Sequence, residues 1–272
     1  WAAVRAVRHG ATAPAPIREH PLFRMLQPVA APRTVVVAQI GQSLDGRIAT
    51  VTGASHYING AGGLDHLHRL RALVDAVVVG VGTVCADDCQ LTVRRVEGAS
   101  PVRVAIDPTG RMACDARMLA DDGARRIVVR AEGAPHCDVP GVETVHLPLV
   151  DGRIEPRDVI AALARRGLRR VLIEGGASTV SAFIAADMVD RLHVMVAPLL
   201  VGSGRPGLAL APIERLEFAR RPRTLTYPLG GDVLFDCDMR VPAETGTREG
   251  GTRDDGPFAD DDARGRRLHA DG

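Results

Sequence analysis

Ala76-Val77-Val78-Val79-Gly80-Val81-Gly82-Thr83-Val84 sets an unbroken aliphatic run against a glycine turn that opens into a second apolar stretch. Four aliphatic residues in a row show no polar–apolar alternation, so both faces of the segment are buried. Such a strand belongs inside a sheet covered by helices on both sides. The turn after it resembles the start of a dinucleotide fingerprint, but Cys85 stands where the third glycine would be. A lone G-x-G is a weak signal. Even so, glycines at a strand end let backbone N–H groups approach a phosphate, and Thr83 adds a hydroxyl at a helix start.

The same pattern extends on both sides. Val35–Ile40, Val102–Ile106, Ile127–Val129, Val142–Leu147, Val171–Ile173, Leu192–Val196 and Val233–Asp236 read as strands. Helices are expected over Ala61–Leu73, over Asp158–Arg166 closed by Gly167, and over Ser178–Ala186 with Ser178 or Thr179 as cap. The fold class implied is α/β, with a mostly parallel sheet. No clear helix separates the last two strands, which predicts an antiparallel C-terminal edge. Residues 34–240 form the patterned domain. Residues 1–33 read as a Pro-, Ala- and Arg-rich N-terminal extension whose prolines break any long helix, with Leu22–Leu26 packing on the domain surface. Residues 241–272 lose their aliphatics and read as a disordered tail.

Composition excludes several function classes. Aromatics are 3% of the chain, too few for a base-stacking platform, and the formal net charge of +1 gives no global attraction to nucleic acid or an anionic membrane. No apolar run approaches a membrane span, and the N-terminus lacks the apolar core of a secretory signal, so a cytoplasmic location is expected. Five cysteines without framework spacing imply reduced thiols. Cys85-x3-Cys89 and His66-x-His68 have no matching second ligand pair, so no metal site is expected.

Two further turns join the glycine turn at strand ends. Ser43-Leu44-Asp45-Gly46 reads first as a tight turn, Asp initiating it and Gly taking positive φ. Glu174-Gly175-Gly176-Ala177-Ser178-Thr179 makes a compact anion cradle, with Glu174 either a solvated end residue or an acceptor for ligand N–H groups. Arg71 and Arg94 are either structural partners of Asp75, Asp87 or Asp88, or a fork-like clamp on a phosphate.

In order along the chain, these segments resemble the riboflavin-biosynthesis pyrimidine reductases. The resemblance rests on Gln42–Ala49, Gly53–Gly60, Leu70–Ala76, Gly80–Val84 with Ala86-Asp87-Asp88, Leu91–Arg94, Leu172–Gly176 and Val189–Pro198. It covers about residues 34–240 and corresponds to the reductase half of the bifunctional deaminase–reductase, without the deaminase half. The resemblance implies a three-layer dihydrofolate-reductase-like sandwich, NADPH as cofactor, a phosphorylated ribosylaminopyrimidine as substrate, and a homodimer, for which Leu192–Val201 is a candidate contact. It further implies substrate contacts at Ser55, Arg71, Leu91, Arg94 and Glu174, and cofactor contacts at Gly41, Tyr57, Thr83, Asp87, Gly176, Ala177, Ser178 and Thr179. Asp87 is the catalytic candidate. Arg103, Arg111 and Arg130 lie near strand ends, where one of them could meet a 2′-phosphate. Departures are Gly41 for a frequent Ala, Tyr57 for Trp, Asn59 for Thr, Cys89 for Pro and Pro108 for Ser. Alternatives are a same-fold reductase of a pterin or other modified pyrimidine, and a nucleotide-binding protein without catalysis.

Overall fold

The computed structural model describes residues 1–31, 34–56, 58–135 and 138–242. Its strands are β1 (Val35–Ser43), β2 (Arg47–Ala49), β3 (Ala76–Gly80), β4 (Val102–Ile106), β5 (Arg126–Ala131), β6 (Val142–Leu147), β7 (Arg170–Ile173), β8 (Arg191–Ala197), β9 (Arg205–Pro206), β10 (Pro222–Leu229) and β11 (Asp232–Pro242). Its helices are α1 (Ala2–Arg8), α2 (Ala15–Arg18), α3 (Pro21–Ala30), α4 (Ala61–Leu73), α5 (Val81–Asp87), α6 (Pro156–Ala164) and α7 (Ala177–Ala185). The main sheet runs β10-β11-β8-β1-β7-β3-β4-β5-β6. From β8 to β6 every pairing is parallel, and β11 and β10 close one edge antiparallel.

Helices cover both faces, giving the three layers implied by the doubly buried strands. On one face α4 and α5 deliver Leu70, Leu73, Val81 and Val84 to a cluster with Val77, Val79 and Leu172. On the other, α6 and α7 bring Val159, Leu163, Val180, Phe183 and Ile184 against Val78, Val104 and Ile173. Alternate residues of one strand serve opposite layers, which is why β3 shows no alternation in its sequence.

Three local expectations shift. The helix expected from Asp158 starts at Pro156, because proline suits the first helical position. Gly176 stands at the N-cap position of α7, and no side-chain bond from Ser178 or Thr179 caps the helix. β10 escapes sequence reading because most of its residues face solvent and it carries no apolar run.

The N-terminal segment is more than a surface cover. Met25, Leu26 and Val29 of α3 are almost fully buried, and Val4 of α1 joins the same cluster. Burying each such side chain stabilises by roughly 1.5–3 kcal/mol. Proline at Pro21 starts α3 and Pro28 lies within its last turns, so the prolines shorten helices here without preventing them. Cys85, Cys89 and Cys237 are free thiols. Cys114 is disulfide-bonded, which corrects the expectation of reduced thiols throughout. β11 ends at Pro242, and the expected tail beyond it lies outside the described residues.

Candidate active site

β1, β7 and β3 are neighbours, so the turns at Ser43, Glu174 and Gly80 fall in one row along the C-terminal ends of parallel strands. Open α/β sheets bind their ligands along that edge.

The two glycine turns interlock. Thr83 Oγ1 accepts a hydrogen bond from the Gly176 N–H at 2.9 Å. A Cβ on Gly175 would lie 2.6 Å from that same oxygen, and one on Gly80 would strike Thr179 Oγ1. Gly175 also adopts φ +107, which other residues rarely tolerate. Beyond this lock, α7 begins at Ala177 with no side-chain cap. The first-turn N–H groups of a helix have no intrahelical partner and form a cradle for an anion.

The Ser43 turn differs. Asp45 accepts from the Ser43 hydroxyl at 2.5 Å, from Val201 N–H at 3.1 Å and from Gly202 N–H at 2.6 Å. Its carboxyl is lowered to about 2 by the Ser43 hydroxyl first and then by those backbone donors. The turn therefore fastens β1 to the loop after β8.

A cavity of about 290 Å³ has Ser55, Arg71, Asp87, Leu91 and Arg94 among its walls. Arg71 is buried and forks onto Glu174, Nε to Oε1 at 2.8 Å and Nη2 to Oε2 at 2.6 Å, while Nη1 reaches the Thr92 carbonyl. Burial opposes the Arg71 charge, but the facing Glu174 carboxylate outweighs it and raises the Arg71 pKa. The structural partner of Arg71 is thus Glu174 rather than any of the three aspartates considered. Asp75 instead pairs with Arg8 and Arg170.

Arg94 is exposed, and its Nη1 donates to Gln90 Oε1 and Thr92 Oγ1, both at 2.6 Å. Its backbone N–H donates to His68 Nδ1 at 3.0 Å. Burial, followed by the charges of Arg71 and Arg94, pushes the His68 imidazole down to about 4, so it stays neutral as that acceptor. Asp87 is the exposed last residue of α5. Leu91 is buried yet takes φ +58, a left-handed backbone costing about 1–3 kcal/mol. Cys89 is held as a thiol at about 12, by burial first and by the Glu174 charge.

Gly41 lies under the Asn59 side chain, whose Oδ1 a Cβ there would strike. The Asn59 Nδ2 is buried without a partner. Tyr57 lies outside the described residues. Arg103 is buried and donates to Ala120 O and Asp122, and Arg130 is buried against Pro135 O and Asp107, which leaves Arg111 as the exposed member of the three. Among the described residues no group of three His, Cys, Asp or Glu could hold a metal ion. His56, Gln90 and Arg117 also line the cavity and were not singled out from sequence. Arg117 opens a three-residue 3-10 helix, Arg117–Leu119, and has no motif to mark it.

The family model described as the RibD C-terminal domain matches residues 34–221. The chain belongs to that family. It is 34% identical over 222 residues to the 2,5-diamino-6-ribosylamino-4(3H)-pyrimidinone 5′-phosphate reductase of Methanothermobacter thermautotrophicus, covering 76% of this chain and 99% of that one. The reductase of the same name from Archaeoglobus fulgidus is 34% identical over 205 residues, 68% and 93% of the two chains. Among solved structures, the Thermotoga maritima deaminase/5-amino-6-(5-phosphoribosylamino)uracil reductase superposes with TM-score 0.64 at 27% identity. That match covers 76% of this chain and 57% of the bifunctional one. Members of the RibD C-terminal family matched here are thus named as pyrimidine reductases of riboflavin biosynthesis, which supports an oxidoreductase.

Proposed function

We propose that this chain reduces a phosphorylated ribosylaminopyrimidine to the ribitylamino product with NADPH. The observation that carries the reading is the meeting of two unlike subsites on one sheet edge: a cavity bearing Arg71, Arg94 and Ser55, and an interlocked pair of glycine turns ending in an uncapped helix.

The cradle fits a pyrophosphate-bearing nucleotide, since Gly175 and Gly176 keep side chains away and α7 offers N–H donors. Gly176, Ala177, Ser178 and Thr179 would hold it, with Thr83 fixing their backbone. Arg111 is the exposed arginine left for a 2′-phosphate. Bound there, NADPH supplies the hydride that reduces sugar carbon C1′. The chain's own residues do the rest. Ser55 and Arg94 bind the ribose 5-phosphate, and Arg71, held rigid by Glu174, faces the same cavity, so remote binding energy fixes C1′. Asp87 holds a proton for the pyrimidine amine nitrogen or orients the ring-opened sugar hydroxyls. Gly41 with Asn59 shapes the floor beside the cofactor. We also infer a cytoplasmic homodimer, whose contact would use the exposed Leu199 and Leu200 after β8 together with Val233 and Phe235 of β11.

The test follows NADPH oxidation with the ribosylaminouracil 5′-phosphate. Turnover supports the proposal, and consumption of dihydrofolate instead selects a pterin reductase. NADPH binding with no turnover of either substrate leaves a nucleotide-binding protein without catalysis and rejects the reductase reading.

A further inference from the structure

We propose that Arg117 is a third guanidinium of the phosphate subsite, a substrate-binding residue contributed by the segment between β4 and β5. The inference rests on the reductase reading for the identity of the substrate, and on geometry for the anion site itself.

The segment is pinned at both ends. Asp107, fully buried at the end of β4, accepts from the N–H groups of Arg111 at 2.9 Å and Met112 at 3.0 Å. Met112, Ala116, Met118 and Leu119 then bury their side chains in the core. Arg117 is the exposed residue between buried Ala116 and Met118, so its long side chain is directed away from the core and lines the cavity of Arg71 and Arg94. Its backbone N–H donates to Asp88 Oδ1 at 2.9 Å. Asp88 takes φ +41 at the C-cap of α5, beside Asp87. The residue is therefore tied to the cavity wall through its main chain while its side chain remains available.

Charge completes the case. Arg71 is neutralised by Glu174, but neither Arg94 nor Arg117 makes an ion pair among the described residues. Arg94 donates only to neutral oxygens, and the Arg117 guanidinium has no hydrogen bond there. Two guanidiniums without a carboxylate partner on one small cavity are an arrangement that a dianion satisfies through forked, charge-assisted bonds. All three arginines line the one cavity, and burial, then the charges of Arg71 and Arg117, lower the Arg94 pKa.

The test measures binding of ribose 5-phosphate and of ribose to the intact protein by calorimetry, alongside NADPH turnover. Arg117→Ala is expected to weaken ribose 5-phosphate binding by about tenfold and to leave ribose binding and NADPH affinity unchanged. Arg117→Lys should retain part of the affinity, since it keeps the charge without the fork. Equal ribose 5-phosphate binding by wild type and Arg117→Ala, or none by wild type, overturns the proposal. Arg117-dependent binding without turnover of the ribosylaminouracil phosphate upholds the anion site and rejects the substrate reading. Turnover that is indifferent to Arg117 does the reverse.

Discussion

The turns at Ser43–Gly46 and Glu174–Thr179 read alike in sequence, each a polar, glycine-bearing corner after an aliphatic strand. In the folded chain they do opposite things. Asp45 turns its oxygens on Ser43, Val201 and Gly202, so that corner binds protein. At the other corner Thr83 secures Gly176, and the first turn of α7 is left uncapped. A polar turn becomes a ligand site only when the fold leaves its donors without protein partners.

The largest effect expected from breaking this contrast is at Glu174, the residue of the second corner whose side chain is held by an ion pair. Glu174→Ala would leave the buried Arg71 charge without its partner, a loss of about 3–5 kcal/mol by denaturant unfolding, together with loss of turnover. A stability change within error would show that Arg71 finds water or another acceptor, and the rigid-clamp account would fall.

A smaller effect is expected at the lock between the turns. Thr83→Val removes the acceptor for Gly176 N–H, worth about 0.5–1.5 kcal/mol, and should raise the KM for NADPH by roughly three- to tenfold with little change in kcat. An unchanged KM would mean that the cradle needs no support from α5.

The smallest effect on catalysis belongs to the Ser43 corner. The Asp45 carboxyl sits at about 2 against an ordinary 3.8, so its contribution to stability is present above pH 3.8 and is lost as pH falls through about 2. Asp45→Asn should flatten that part of the acid unfolding profile and leave turnover at neutral pH as in the wild type. A selective loss of NADPH binding in this variant would erase the distinction between the corners.

Much of the fold is legible in the sequence because doubly buried strands cannot hide. Val77-Val78-Val79 must face core on both sides, and α4 lies where its spacing puts it, from Ala61 to Leu73. β10 is not legible, since an edge strand with solvent on most positions carries no such signature. The N-terminal helices are only half legible, because five prolines mask the burial of Met25, Leu26 and Val29. Within the site, the glycine turns stand out at strand ends, and Arg71 and Arg94 as charges on otherwise apolar or small-residue segments. Leu91 in a left-handed backbone and Asn59 over Gly41 leave no mark, because each depends on what packs against it.

By itself the sequence determined an α/β sheet with glycine-lined strand ends, because burial and backbone permissiveness are local properties of residue type. Only the tertiary structure decided which charges act together. Arg71 and Glu174 stand 103 residues apart and meet because α4 packs over β7. Arg117 reaches the same cavity through one bond to Asp88. Electrostatic partnership depends on distance in space, and the chain order alone does not specify it.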